Sequence, residues 1–78
     1  MLTTDDVRKL VEDNIPGSQV EVSDLTGTSD HFRIIVVSDQ FAGESRIARH
    51  KMVHRALGEH LTRAIHAVDI TARTPQES

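Results

Sequence analysis

Residues 41–61 read FAGESRIARHKMVHRALGEHL. This is the longest stretch of helical spacing in the chain and the densest in histidine and positive charge. Ile47, His50, Val53, His54, Leu57 and Leu61 recur at steps of three and four, which lines them along one side of a helix and predicts a core face. Ser45 is the expected N-cap, since its hydroxyl can accept from the free N–H groups of the first turn. Gly43 suits a tight turn just before it. The helix is expected to end around residues 61–64. Arg46, Arg49, Lys51 and Arg55 fall on the side expected to face water, so one element offers a core face, a basic face and several histidines.

The segments before this helix alternate. In residues 31–38, Phe32, Ile34 and Val36 share one face and Ile35 and Val37 the other. Apolar residues on both faces predict a central strand covered by helices on at least one side. Residues 18–25 place Val20 and Val22 opposite Gln19, Glu21 and Ser23, a half-buried strand. TGTSD at 26–30 is a turn by composition, so the two strands are expected to form a hairpin with a five-residue loop. Residues 39–44 connect to the basic helix through a short helical turn, with Phe41 as a buried anchor.

At the N-terminal end, residues 2–15 predict a helix. Thr3 is the N-cap, Asp6 completes a capping box in place of the usual Glu, and Leu2 and Val7 occupy the staple positions. Val7, Leu10, Val11 and Ile15 form its apolar stripe, and Pro16-Gly17 ends it. After the basic helix, residues 65–72 alternate as a third strand, with His66, Val68 and Ile70 on one parity. A polar tail follows. The chain thus reads as a single domain over residues 1–75 with a short tail at 76–78. The order α-β-β-α-β predicts an α+β fold, a three-stranded mixed sheet with helices on one face.

Composition narrows the function classes. Seventy-eight residues allow one modest core, and the absence of Trp and Tyr makes it aliphatic, helped by two Phe. No cysteine is present, which excludes disulfides, a thiol nucleophile and a metal site built on this chain's own sulfur. Net charge is −3 but uneven: nine acids face three Lys/Arg before residue 45, and three face six after it. Such a dipole can steer charged partners, while the acidic total argues against a general nucleic-acid binder. No basic-then-apolar leader and no apolar run of membrane-spanning length is visible, so a cytoplasmic location without membrane contact is expected. There is no phosphate-binding glycine loop, no plausible Ser–His–acid spacing and little volume for a pocket. An enzyme with a small-molecule substrate is not expected.

Two segments, VSDQFAGESRIARHKMVHRAL at 37–57 and IHAVDITARTP at 65–75, together closely resemble the BolA family. The family pattern is an Asp-Phe/Phe-x-Gly turn, then Arg-His-(Arg/Lys)-x-Val-x-x-x-Leu, then Ile-His-Ala-x-x-Ile-x-x-x-Thr-Pro, in that order and spacing. The resemblance implies a fold similar to the class II KH domain. It also implies two functional themes. In the first, family members pair with monothiol glutaredoxins, share a [2Fe–2S] cluster and take part in iron–sulfur trafficking or iron sensing. His66 matches the family's C-terminal histidine and would be a cluster ligand, with the thiolates coming from the glutaredoxin cysteine and glutathione. The family's second ligand is a His or Cys in the loop between the first two strands. Residues 25–30 hold neither, which makes His31, at the loop's end, the nearest candidate. In the second theme, family members act as DNA-binding transcriptional regulators.

For DNA or a partner protein, the residues to consider are Arg46, Arg49, His50, Lys51 and Arg55. Against DNA stand the lack of exposed aromatics for stacking and the sequence Gly43-Glu44-Ser45-Arg46. That sequence is not a Gly-x-x-Gly clamp, and its carboxylate would repel phosphate. His50 is expected to be partly buried and bonded to nearby backbone. His50 and His54 have the spacing to share a metal but lack the intervening acid of a zinc protease motif.

Overall fold

The computed structural model of the chain describes residues 2–27, 31–58 and 67–77. The first helix, α1, runs Thr4–Asn14. Its start is set by the predicted capping box: the Asp6 N–H donates to Thr3 Oγ1 at 3.1 Å and the Thr3 N–H donates to Asp6 Oδ2 at 2.9 Å. These bonds favour the charged carboxylate and hold Asp6 below its ordinary pKa. Val7 and Val11 are fully buried, Ile15 nearly so, and Leu2 packs against the same core.

Strands β1 (Gln19–Asp24) and β2 (His31–Val37) pair antiparallel, in register from Gln19↔Val37 to Asp24↔Phe32. Where the hairpin turns, Asp24 Oδ1 accepts from the N–H groups of Thr26 (3.2 Å) and Gly27 (2.9 Å), and the Leu25 N–H donates to the His31 carbonyl at 2.9 Å. A 3₁₀ turn, Asp39–Phe41, follows β2 and buries Phe41 completely. Helix α2 then runs Arg46–Leu57, with Ser45 Oγ accepting from the Ala48 N–H at 3.0 Å as its cap. The last strand, β3 (Ala67–Arg73), pairs parallel to β2 from His31↔Ala67 to Val37↔Arg73. The predicted first residues of that strand, Ile65 and His66, lie outside the described residues.

The sheet order is β1-β2-β3, so β2 is central, as its two apolar faces require. Phe32, Ile34 and Val36 of β2 and Ile70 of β3 point into one core with Phe41 and the apolar residues of α1 and α2. Ile35 and Val37 are half-buried on the opposite face. The α+β architecture with helices on one side of a mixed sheet is the one predicted. Among the described residues no helix is long and apolar enough to cross a membrane.

Helix α2 departs from expectation in two ways. It ends at Leu57, short of residues 61–64, which lie outside the described residues. Gly58 takes φ +59° and donates its N–H to the His54 carbonyl at 3.0 Å, a positive-φ stop that glycine adopts without a Cβ penalty. Its buried side is also rotated from the predicted one. Val53, Ala56 and Leu57 are buried and Met52 packs against the core, whereas His54 is exposed and Ile47 is 70% exposed. The cause is that α2 packs against two elements at once. Asn14 of α1 donates to the Ala56 carbonyl (3.4 Å) and Arg49 donates to the Ala72 carbonyl of β3 (3.2 Å). Those contacts turn positions 49, 52 and 56 inward and carry Ile47 out to water.

Candidate functional site

The rotation of α2 breaks up the predicted basic face. Arg49 does not belong to a solvated surface: its side chain is only 15% exposed. Its guanidinium reaches Glu77 Oε1 at 2.7 Å and Oε2 at 3.4 Å, a two-pronged pairing, and also donates to the Glu44 carbonyl at 3.0 Å. Arg46, Lys51 and Arg55 remain exposed, and no ion pair joins them to another described residue. They do not form one patch either. At about 100° per residue, Lys51 and Arg55 neighbour each other while Arg46 lies on another side of the helix. Arg46 and the half-buried His50 line a groove between the start of α2 and the end of β3. Arg55 lines a separate, smaller hollow with Asn14, Gln40 and Met52, against α1.

Sequence reasoning passed over Glu77, which organises the far end of this groove. Its Oε1 also accepts from the Thr74 N–H at 2.8 Å, and its own N–H donates to the Thr74 carbonyl at 3.0 Å. The paired Arg49 guanidinium, helped by the Thr74 N–H, pulls the Glu77 carboxyl down to about 2. A signal for it is present in the sequence: Thr74-Pro75-Gln76-Glu77 has the S/T-x-x-E spacing of a capping box, with proline in the position after the cap. The arginine it meets could not be read that way, because 28 residues separate Glu77 from Arg49.

His31, the expected second ligand, lies beside the opposite end of β3. His31 is the first residue of β2 and is half-buried. Its partner in the parallel ladder is Ala67, the residue that follows His66 in sequence. His66 itself lies outside the described residues. Two residues further along both strands, Arg33 and Asp69 face each other with Nε and Oδ2 3.6 Å apart, both more than half exposed. Among the described residues no group of three or more His, Cys, Asp or Glu side chains is gathered as a metal site. A metal bound here would therefore need donors beyond those described.

A profile of the BolA-like protein family matches residues 10–77. The chain belongs to the BolA-like protein family. Over 51 residues, 65% of its length, it is 49% identical to BolA-like protein 1 of Bos taurus. Over the same share it is 43% identical to the DNA-binding transcriptional regulator BolA of Vibrio cholerae. The chain spans 38% of the first of these relatives and 48% of the second. The solved structure of a bolA protein homologue from Coxiella burnetii superposes with a TM-score of 0.86 at 32% identity, covering 99% of this chain and 96% of that one. The α-β-β-α-β order with a central β2 is thus a BolA-like fold, and the segments 37–57 and 65–75 lie within the stretch that the family profile matches.

Proposed function

We propose that this BolA-like chain is a cytoplasmic adaptor that pairs with a monothiol glutaredoxin and shares a [2Fe–2S] cluster with it, acting in iron–sulfur trafficking or iron and redox regulation rather than in catalysis. His66 and His31 are the ligands this chain would supply. The glutaredoxin cysteine and its glutathione would supply thiolates, which a chain without cysteine cannot. The observation that carries the reading is the register of the parallel pair: it sets His31 beside Ala67, the sequence neighbour of His66. The donor set suits the group, since imidazole nitrogen is a competent iron ligand and His in place of thiolate raises the cluster's potential. His31 is also half-exposed and so open to a partner's face. Docking would use the exposed side of α2 and the adjoining end of β3.

The test is anaerobic cluster reconstitution on a monothiol glutaredoxin with glutathione, with and without this protein, read by visible absorption and circular dichroism. A new heteromeric spectrum that is lost in His66→Ala and weakened in His31→Ala is the expected result. No spectral change and no complex on a sizing column would refute it.

A second reading has its own support. The Vibrio cholerae relative is a DNA-binding regulator by name, and Arg46, Lys51 and Arg55 are exposed cations. Three phosphate contacts would give a plot of log affinity against log salt a slope of roughly −2.7. DNA binding with that salt dependence, unaffected by His66→Ala, would favour the regulator over the adaptor.

A further inference from the structure

The groove between α2 and β3 has a feature that neither reading uses: one wall of it is an open sheet edge. β3 pairs with β2 on one side and, among the described residues, has no strand on the other. The Ser38 N–H donates to the Arg73 carbonyl at 2.9 Å, so Arg73 turns its backbone groups toward β2. Backbone groups alternate along a parallel strand, so Ala72 and Ile70 turn theirs outward. The Ala72 carbonyl is taken by Arg49 at 3.2 Å. The outward groups of Ile70 meet no partner among the described residues. They border a groove of about 650 Å³, lined on the helix side by Arg46 and His50 and on the strand side by Ile70, Thr71 and Arg73.

Charge sets what this groove accepts. The Arg49 guanidinium and the Glu77 carboxylate neutralise each other. That leaves Arg46 and Arg73, both exposed and without an ion pair among the described residues, against the single carboxylate of Glu44. In a chain of net charge −3 this is a local positive excess next to unpaired backbone groups. An unpaired edge attracts an extended chain through main-chain hydrogen bonds, and flanking charges select its side chains.

We infer that the β3 edge at this groove receives an extended acidic segment of a partner protein as a fourth strand, with carboxylates on its helix-side face reaching Arg46 and a carboxylate on its other face reaching Arg73. Pairing stops at Ala72, whose carbonyl is occupied, and runs back along β3 over roughly 10 Å, three to four residues. The surface borders the docking face of the adaptor reading, but it starts at the other end of β3 from His31 and Ala67 and uses no cluster ligand, so it works with or without a cluster.

The experiment is fluorescence anisotropy with a labelled hexapeptide, Val-Asp-Asp-Val-Asp-Asp, which carries carboxylates on both faces of an extended strand. It would be run against the wild-type chain, Arg46→Ala, Arg73→Ala and His31→Ala, with circular dichroism to show each variant folded. The expected result is saturable binding, weakened at least roughly fivefold by Arg46→Ala and by Arg73→Ala and unchanged by His31→Ala. Methylating the peptide's backbone nitrogens at alternate residues, in each of the two parities, should weaken binding about tenfold or more in one parity only. Amide exchange at Ile70 should slow on binding. Equal binding of both methylated peptides would show charge attraction without strand pairing and overturn the inference. Failure of the hexapeptide beside tight binding of a single-stranded oligonucleotide at the same arginines would also overturn it. Loss of cluster sharing in the reconstitution experiment would leave it standing.

Discussion

Replacing Arg49 with alanine separates a tertiary tie from a basic surface. The side chain is 15% exposed and joins three parts of the fold: the Glu44 carbonyl before α2, the Ala72 carbonyl in β3 and the Glu77 carboxylate beyond it. Arg49→Ala leaves the part-buried Ala72 carbonyl without its donor, a loss of about 1–2 kcal/mol. In a domain of this size each kcal/mol moves Tm by roughly 4–8 °C, so a fall of roughly 4–16 °C is expected. Glu77 supplies a second readout. The Arg49 guanidinium, with the Thr74 N–H, lowers its carboxyl from 4.5 to about 2. A carboxyl whose folded pKa lies below its unfolded value stabilises the fold above the unfolded value and loses that contribution as pH falls toward the folded one. Wild type should therefore lose stability relative to Arg49→Ala between pH 4.5 and about 2, and less so in high salt because the Glu77 side of the pair is solvent-accessible. The assay is thermal unfolding of both proteins across this window, together with a carbon-13 NMR titration of Glu77 Cδ. If Glu77 titrates at 4.5 in wild type and Arg49→Ala melts at the wild-type temperature, the tie is not formed in solution. Arg49 would then return to the exposed basic face.

Phe41→Ala should cost about 3–5 kcal/mol in urea unfolding, because the ring is fully buried between the 3₁₀ turn and the core; a cost under about 1 kcal/mol would mean the connection is not anchored there. Ile47→Lys should leave stability within about 0.5 kcal/mol of wild type, since the residue is 70% exposed; a loss above about 1.5 kcal/mol would restore it to the core face that its spacing suggested. Thr3→Ala should destabilise by about 1 kcal/mol and let the Asp6 carboxyl rise back toward its ordinary range, both followed by NMR as pH is lowered.

Much of the fold could be read from local pattern because local chemistry settles it. The capping box at Thr3 and Asp6 involves residues three apart, so its bonds form wherever the helix does. The parity of Phe32, Ile34 and Val36 follows from the two-residue repeat of a strand, and all three are buried. Apolar residues on both faces of that strand were enough to make it central. The family motifs were legible because order and spacing are properties of the sequence itself.

Tertiary structure decided the rest, for reasons of distance along the chain and of competing contacts. Helix α2 carries apolar and basic residues around most of its circumference, so spacing alone allowed more than one buried side. Packing against α1 and β3 together selected the side with Val53, Ala56 and Leu57, put Ile47 in water and drew Arg49 inward. The Arg49–Glu77 pair spans 28 residues and depends on β3 returning parallel to β2. The ladder that sets His31 beside Ala67 depends on the same return. The sequence by itself determined which elements form, in what order and in which family. Only the tertiary structure decided which charges stay free, because a charge is neutralised by whichever partner the fold brings to it, however far away in the chain.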